Sequence, residues 1–211
     1  REGRPFEFSN AAERQNYFVG AANTEAFFAF MGGMINRRAS WDRVPFNDAF
    51  DRSCWAHAAR LFELMRKGLK LRFVPECWQD RRPDNDSFMG GGLVKRLALS
   101  IDGYNMIADT FFGPDSVEAF HVRRAVREEI GIGSLIMGKY VCALDPELES
   151  RATLDRLAAK MYGDFSWKNL HARFLYATTP GDRIKRWDPE WAAKEERKAL
   201  MRRAARSAQP K

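Results

Sequence analysis

The sequence predicts an all-α protein, an array of stacked helical hairpins closed by a charged C-terminal helix. Three observations carry that prediction. Between Ala58 and Met65 the apolar residues Ala58, Leu61, Phe62 and Met65 fall at the i, i+3, i+4, i+7 spacing of a buried helical stripe. Glycine and proline punctuate the chain where such stripes stop. No segment shows the apolar–polar alternation of a half-buried strand.

Taken in order, residues 1–23 read as an N-terminal extension, irregular around Pro5, Phe6 and Phe8, with a short helix near Ala11–Phe18. A helical repeat-like domain is expected over 24–180 and a basic helical tail over 181–211. From Thr24, a candidate N-cap, "TEAFFAFMGGMINRR" sets Phe27, Phe30, Met31 and Met34 at helical spacing. Pro45–Lys67 carries Phe46, Ala49, Phe50 and Cys54 and then the Ala58–Met65 stripe, stopped by Gly68. Ser53 caps the second part, or one helix runs the whole way. "VPECWQDRRPDND" is a polar connection.

"LVKRLALSI" predicts a helix ended by Gly103. "YNMIADTFFG" and "DSVEAFHVRRAVREEIG" then form a hairpin that turns at Gly113-Pro114, with Asp115 or Ser116 as cap. "SLIMGKYVCAL" fits a helix or a buried strand, and its helical neighbours favour helix. Asp145-Pro146 opens a helix through "ESRATLDRLAAKMYG", with Pro at N1. "SWKNLHARFLYA" follows as another helix, Thr179-Pro180-Gly181 breaks it, and Asp188-Pro189 opens a last helix to about Arg206.

Helices thus end at Gly68, Gly103, Gly131 and Gly163, at intervals of 35, 28 and 32 residues, the size of tetratricopeptide and pentatricopeptide units. The residues agree. "FNDAF" followed by "AARLFELMRKGLK" resembles a pentatricopeptide repeat: Phe46-Asn47 in the first helix, then Ala58, Leu61-Phe62, Met65 and Gly68. "GYNMIADTF" followed by "VEAFHVRRAVREEIGI" matches more loosely, through Tyr104-Asn105, Ala119, Val126 and Gly131. The family's pattern is longer between Asn47 and Ala58 and places a turn residue there. With its size and its start at Arg1 rather than Met, which suits a processed chain, the sequence is similar to the small pentatricopeptide-like subunits attached to the catalytic head of mitochondrial ATP synthase in euglenozoan protists. That resemblance implies a non-catalytic accessory subunit in the mitochondrial matrix, docked on a partner protein, with no cofactor and no small-molecule substrate.

Charge distribution separates this from the alternative, a mitochondrial ribosome component or RNA-processing factor. Net charge is +7, yet Gly181–Lys211 holds ten Lys/Arg against five Asp/Glu, and the remainder 25 against 23. A nearly neutral body offers little phosphate neutralisation. RNA binding would require Arg37, Arg38, Arg81 and Arg82 to join the tail in one patch. In the tail, Trp187 and Trp191 with Arg202 and Arg203 are the expected partner-binding residues, apolar anchors among basic groups. The rival expectation is a solvated helix with its tryptophans folded back.

Other clusters carry little chemistry. Cys54 and His57 share a helix face but make only two ligands. Cys77 and Cys142 are scattered, which fits a reducing compartment. "MGGGLVKR" lacks the order of a phosphate loop, although Gly90–Gly92 opening a helix would present N–H groups to an anion. Asp102, Asp109, Asp115 and Glu118 lack a paired acid/base spacing, and His121 and His171 lie in mixed-polarity helices. No catalytic or metal-binding residue is expected, and no apolar run reaches the roughly 18 residues of a membrane span.

Overall fold

A computed structural model describes residues 4–51, 53–74 and 91–208. The fold is all-α. Among the described residues its helices are α1 (Ala11–Gly20), α2 (Arg38–Trp41), α3 (Ala56–Arg66), α4 (Leu93–Phe112), α5 (Val117–Leu144), α6 (Arg151–Tyr162), α7 (Trp167–Thr178), α8 (Ile184–Trp187) and α9 (Pro189–Ser207). Two short strands, β1 (Phe6–Glu7) and β2 (Lys70–Leu71), pair antiparallel with Phe6 opposite Leu71. The chain forms two compact units, one drawn from Arg1–Asn85 and Leu99–Glu129, the other from Asp86–Ala98 and Ile130–Lys211. The boundaries at 98/99 and 129/130 fall within helices, so α4 and α5 each contribute residues to both units.

The first unit is built on phenylalanine. Phe18 of α1 stacks on Phe27 at 5.3 Å and meets Phe62 and Phe112 edge-on at 6.3 and 5.2 Å. Phe8, Phe18, Phe27 and Phe62 are fully buried. Phe8 and Phe18, from the first two dozen residues, thus supply a wall of this core. Asn10 caps α1 by accepting from the Ala12 and Glu13 amides, and Arg124 closes its other end by donating to the Val19 and Ala21 carbonyls at 2.8 and 2.7 Å.

Several expected boundaries move. In place of the helix expected from Thr24 there are two separate 3-10 turns, Thr24–Phe27, capped by Asn23 and ended by Phe28 in the left-handed region at φ 66°, and Met31–Gly33. Pro45–Lys67 is neither one long helix nor a helical pair. Asn47 caps a single 3-10 turn, Asp48–Phe50, and α3 begins at Ala56. Trp55 holds the α3 N-cap position with no side-chain cap, while Ser53 Oγ accepts weakly from the Trp55 amide at 3.4 Å.

Gly103 does not end a helix: it lies inside α4, where its bare Cα admits the Trp55 ring. A Cβ there would lie 2.2 Å from Trp55 Cδ1. Of the other spaced glycines, Gly68 and Gly163 do follow helix ends, while Gly131 is a non-helical residue (φ 62°, ψ 168°) interrupting α5. Asp145-Pro146 does not open a helix either, because α6 starts at Arg151 under a Ser150 cap. "SLIMGKYVCAL" is helical, as the C-terminal part of α5, and Ser116 Oγ caps that helix by accepting from the Ala119 amide at 3.0 Å.

The second unit buries Leu135, Ile136, Leu154, Leu157 and Met161. α6 packs on α7, and α8 on α9. Tyr140, Ile184 and Ala192 form a buried cluster with Met137, Leu144 and Trp191 packed around it, which fastens α9 to α5.

Candidate docking site

The tail residues come first, because sequence chemistry pointed to them. Asp188 caps α9 by accepting from the Trp191 amide at 3.0 Å, which sends the helix back along its own unit. Trp191 lies against Tyr140, centroids 6.2 Å apart, whereas Trp187 is exposed. Arg206 donates to Asp145 Oδ1 at 2.8 Å and pairs with Glu147 at 2.9 Å, Arg202 approaches Asp145 Oδ2 at 3.6 Å, and Arg203 donates to the Leu144 carbonyl. Asp145 itself is 1% exposed. The expected partner-binding set thus separates. Trp191, Arg202 and Arg203 hold the tail onto its unit, and Trp187 alone of the four keeps its ring in solvent.

α7, the helix expected in "SWKNLHARFLYA", carries none of the four expected partner-binding residues. Ser166 caps it by accepting from the Asn169 amide at 3.1 Å. At its other end Lys139 Nζ donates to the Tyr176 and Thr179 carbonyls at 2.8 and 2.5 Å, with the ammonium 5.1 Å from the centre of the Tyr176 ring. Burial, and then the neighbouring Arg151 charge, hold the Lys139 pKa below its ordinary value. Tyr176 Oη donates to Asp155 Oδ1 at 2.5 Å, and Arg151 pairs with the same oxygen at 2.9 Å. Burial first, then the Asp155 hydrogen bond, raise the Tyr176 pKa.

The buried face of α7 is made of Asn169 and Ala172, with Leu175 and Tyr176 half-buried. Its apolar face points outward: Trp167, Leu170 and Phe174 are 78%, 44% and 62% exposed, and Phe165 just before them 87%. The helix is amphipathic in the inverse sense. Its aromatics form a solvent-facing ridge, with the Phe165 and Trp167 rings 6.3 Å apart. Exposed apolar side chains clustered on one element mark an interaction surface.

Several of the remaining candidates have structural partners. Leu93 and Val94, at the start of α4, donate their amides to Glu149 Oε1 and Oε2 at 2.7 and 2.8 Å. The free amides at this helix start are therefore taken by the chain's own carboxylate. Gly92, at φ 92°, stands where a Cβ would meet that carboxylate at 2.6 Å. His57 Nε2 lies 3.0 Å from the Phe28 carbonyl, and burial lowers its pKa, while Cys54 is exposed. Among the described residues no group of three or more His, Cys, Asp or Glu is placed to hold a metal. Asp109 pairs with Arg123, Glu118 with Arg14 at 2.9 Å, and His121 Nδ1 accepts from Arg124. Arg38 pairs with Asp42 at 3.1 Å. Cys77, Arg81, Arg82, Met89 and Gly90, and most of the "VPECWQDRRPDND" connection, lie outside the described residues. Among the described residues no helix is long and apolar enough to cross a membrane.

Comparison with known proteins adds one distant likeness. No family model matches the chain, and no solved structure matches it. Over 108 residues it is 21% identical to abequosyltransferase RfbV of Salmonella typhimurium strain LT2, which takes in 51% of this chain and 32% of that protein. The match thus spans about a third of the length of that curated relative. It is a weak hint of kinship to an enzyme and assigns no residue of this chain a role.

Proposed function

We propose that this chain is a non-catalytic accessory subunit of a large mitochondrial assembly, docked on a partner protein through the exposed face of α7. The pentatricopeptide-like resemblance makes the catalytic head of ATP synthase the assembly to test first, and the matrix its compartment. The observation that carries the docking role is the aromatic ridge of Phe165, Trp167, Leu170 and Phe174, set outward on a helix whose small and polar residues face in. Anchors of this kind supply most of the binding energy at protein interfaces.

The RNA-binding alternative leans on the basic tail, and three of that tail's arginines already bond to Asp145, Glu147 and the Leu144 carbonyl. Gripping a phosphate backbone with those three would require giving up their contacts. The distant likeness to a sugar transferase points the other way on catalysis, and sugar transfer by the purified chain would overturn the non-catalytic part of the proposal.

The test is affinity recovery of the tagged native protein, with and without nuclease, beside a Trp167→Ser, Phe174→Ser variant. The expected result is a set of ATP synthase subunits insensitive to nuclease and lost with the double substitution. Recovery of ribosomal proteins that disappears with nuclease would reject the reading.

A further inference from the structure

The α7 ridge has a register as well as a composition. Trp167, Leu170, Phe174 and Ala177 follow one another at i, i+3, i+7 and i+10, the a, d, a, d spacing of a heptad. A strict a/d stripe is the narrow seam by which one helix packs along another, narrower than the arc of roughly 100° or more that a helix presents to a core. The positions bordering the seam are His171 and Thr178 on one side and Arg173 on the other, and Lys168 is exposed one residue beyond Trp167. From Phe165 to Gly181 the sequence contains no Asp or Glu. Within α7 itself the seam is therefore apolar along its centre with neutral or basic residues at its borders, and the nearest carboxylates are Asp164, just before Phe165, and Asp155, which is held by Tyr176 and Arg151.

We infer that the α7 seam takes an amphipathic helix of a different protein, one with acidic residues at the positions flanking its own apolar stripe. This inference rests on the docking role proposed above and specifies the chemistry of the partner at that same site. A second copy of this chain fits poorly. Pairing α7 with α7 would set Arg173 against His171 in a parallel pair, or against Arg173 in an antiparallel one, and such flanking charges select the partner by sign. An anionic bilayer fits less well than a helix, since α7 itself contributes only Lys168 and Arg173 as permanent charges and each basic group near a lipid surface contributes about 1 kcal/mol. A carboxylate-flanked helix satisfies both borders while covering the aromatic centre.

The probes are two synthetic peptides of three heptads with Leu at a and d, one with Glu at every e and g position and the other with Lys there. Binding to the full chain is followed by fluorescence anisotropy at low and high salt. The expected result is at least a tenfold preference for the Glu peptide, reduced at 1 M salt, where screening falls to about 3 Å. Arg173→Glu reverses the preference, and Trp167→Ser with Phe174→Ser abolishes binding while circular dichroism stays unchanged. Equal binding of the two peptides would overturn the inference. So would binding to phosphatidylserine vesicles without binding of the Glu peptide, or dimerisation in sedimentation that Phe174→Ser abolishes. If nuclease-insensitive partner subunits are still lost with the ridge substitutions while the peptides show no charge preference, the docking role stands and the acidic-helix specificity fails.

Discussion

Asp145 is a buried carboxylate on which two arginines of the tail, Arg202 and Arg206, converge. Its Oδ1 accepts from Arg206, and Oδ2 has Arg202 at 3.6 Å and no closer partner. Hydrogen bonds to charged groups contribute about 1.5–3 kcal/mol each, so Asp145→Asn should cost on the order of 2 kcal/mol. At about 2–4 °C per kcal/mol for a chain of this size, the drop should be clear in thermal melts. A double-mutant cycle with Arg206→Ala should be less than additive, and full additivity would show that the pair contributes nothing. Burial pushes the Cys142 thiol from its ordinary value near 9 up to about 11. A raised folded-state pKa means that the stabilising contribution is complete below about 9 and is lost as pH rises through about 11. Neutral-pH alkylation should therefore label exposed Cys54 and spare Cys142 until the chain is unfolded, as peptide mass spectrometry would read. The sequence displayed the tail's charge in full. It could not display Asp145, because an Asp before a Pro reads as a helix opener, and only the fold brings arginines from some sixty residues away onto it.

At the element scale most of the long helices were legible, while their boundaries and the missing helix after Thr24 were not. The Ala58–Met65 stripe became α3, and Asp188-Pro189 opened α9 as its capping chemistry requires. The errors share one cause: local punctuation was outvoted by tertiary packing. Gly103 looked like a stop, but it serves the close approach of Trp55, whose Nε1 donates to the Leu99 carbonyl at 2.6 Å. Gly103→Ala tests this with opposing signs. Helix propensity favours Ala by about 1 kcal/mol, while overpacking costs about 1–3 kcal/mol and displacing the indole loses a further hydrogen bond. Net destabilisation is expected in chemical denaturation, and a stabilised variant would mean that the ring moves aside freely. At Thr24 the apolar spacing was helical, yet the Thr24 amide donates to Glu129 at 2.7 Å and Phe28 leaves the helical region to bury its ring, which no local pattern announces.

For the molecule as a whole, the all-α class was readable from spacing and from missing alternation. The docking face was not. Trp167, Leu170 and Phe174 form a stripe that any periodicity argument assigns to a core, because spacing identifies a face without saying which way it points. Two buried residues of α7, Asn169 and Ala172, set its direction, and α7 packs on α6. The ends of α7 have a kinetic corollary. With Ser166 holding the first turn and Lys139 gripping the last carbonyls, the helix is finished before any partner arrives. Encounter then carries no folding step on this side, and the ordering cost that weakens association of disordered segments falls wholly on the incoming chain. Partner variants should accordingly differ in how long they stay bound far more than in how fast they arrive.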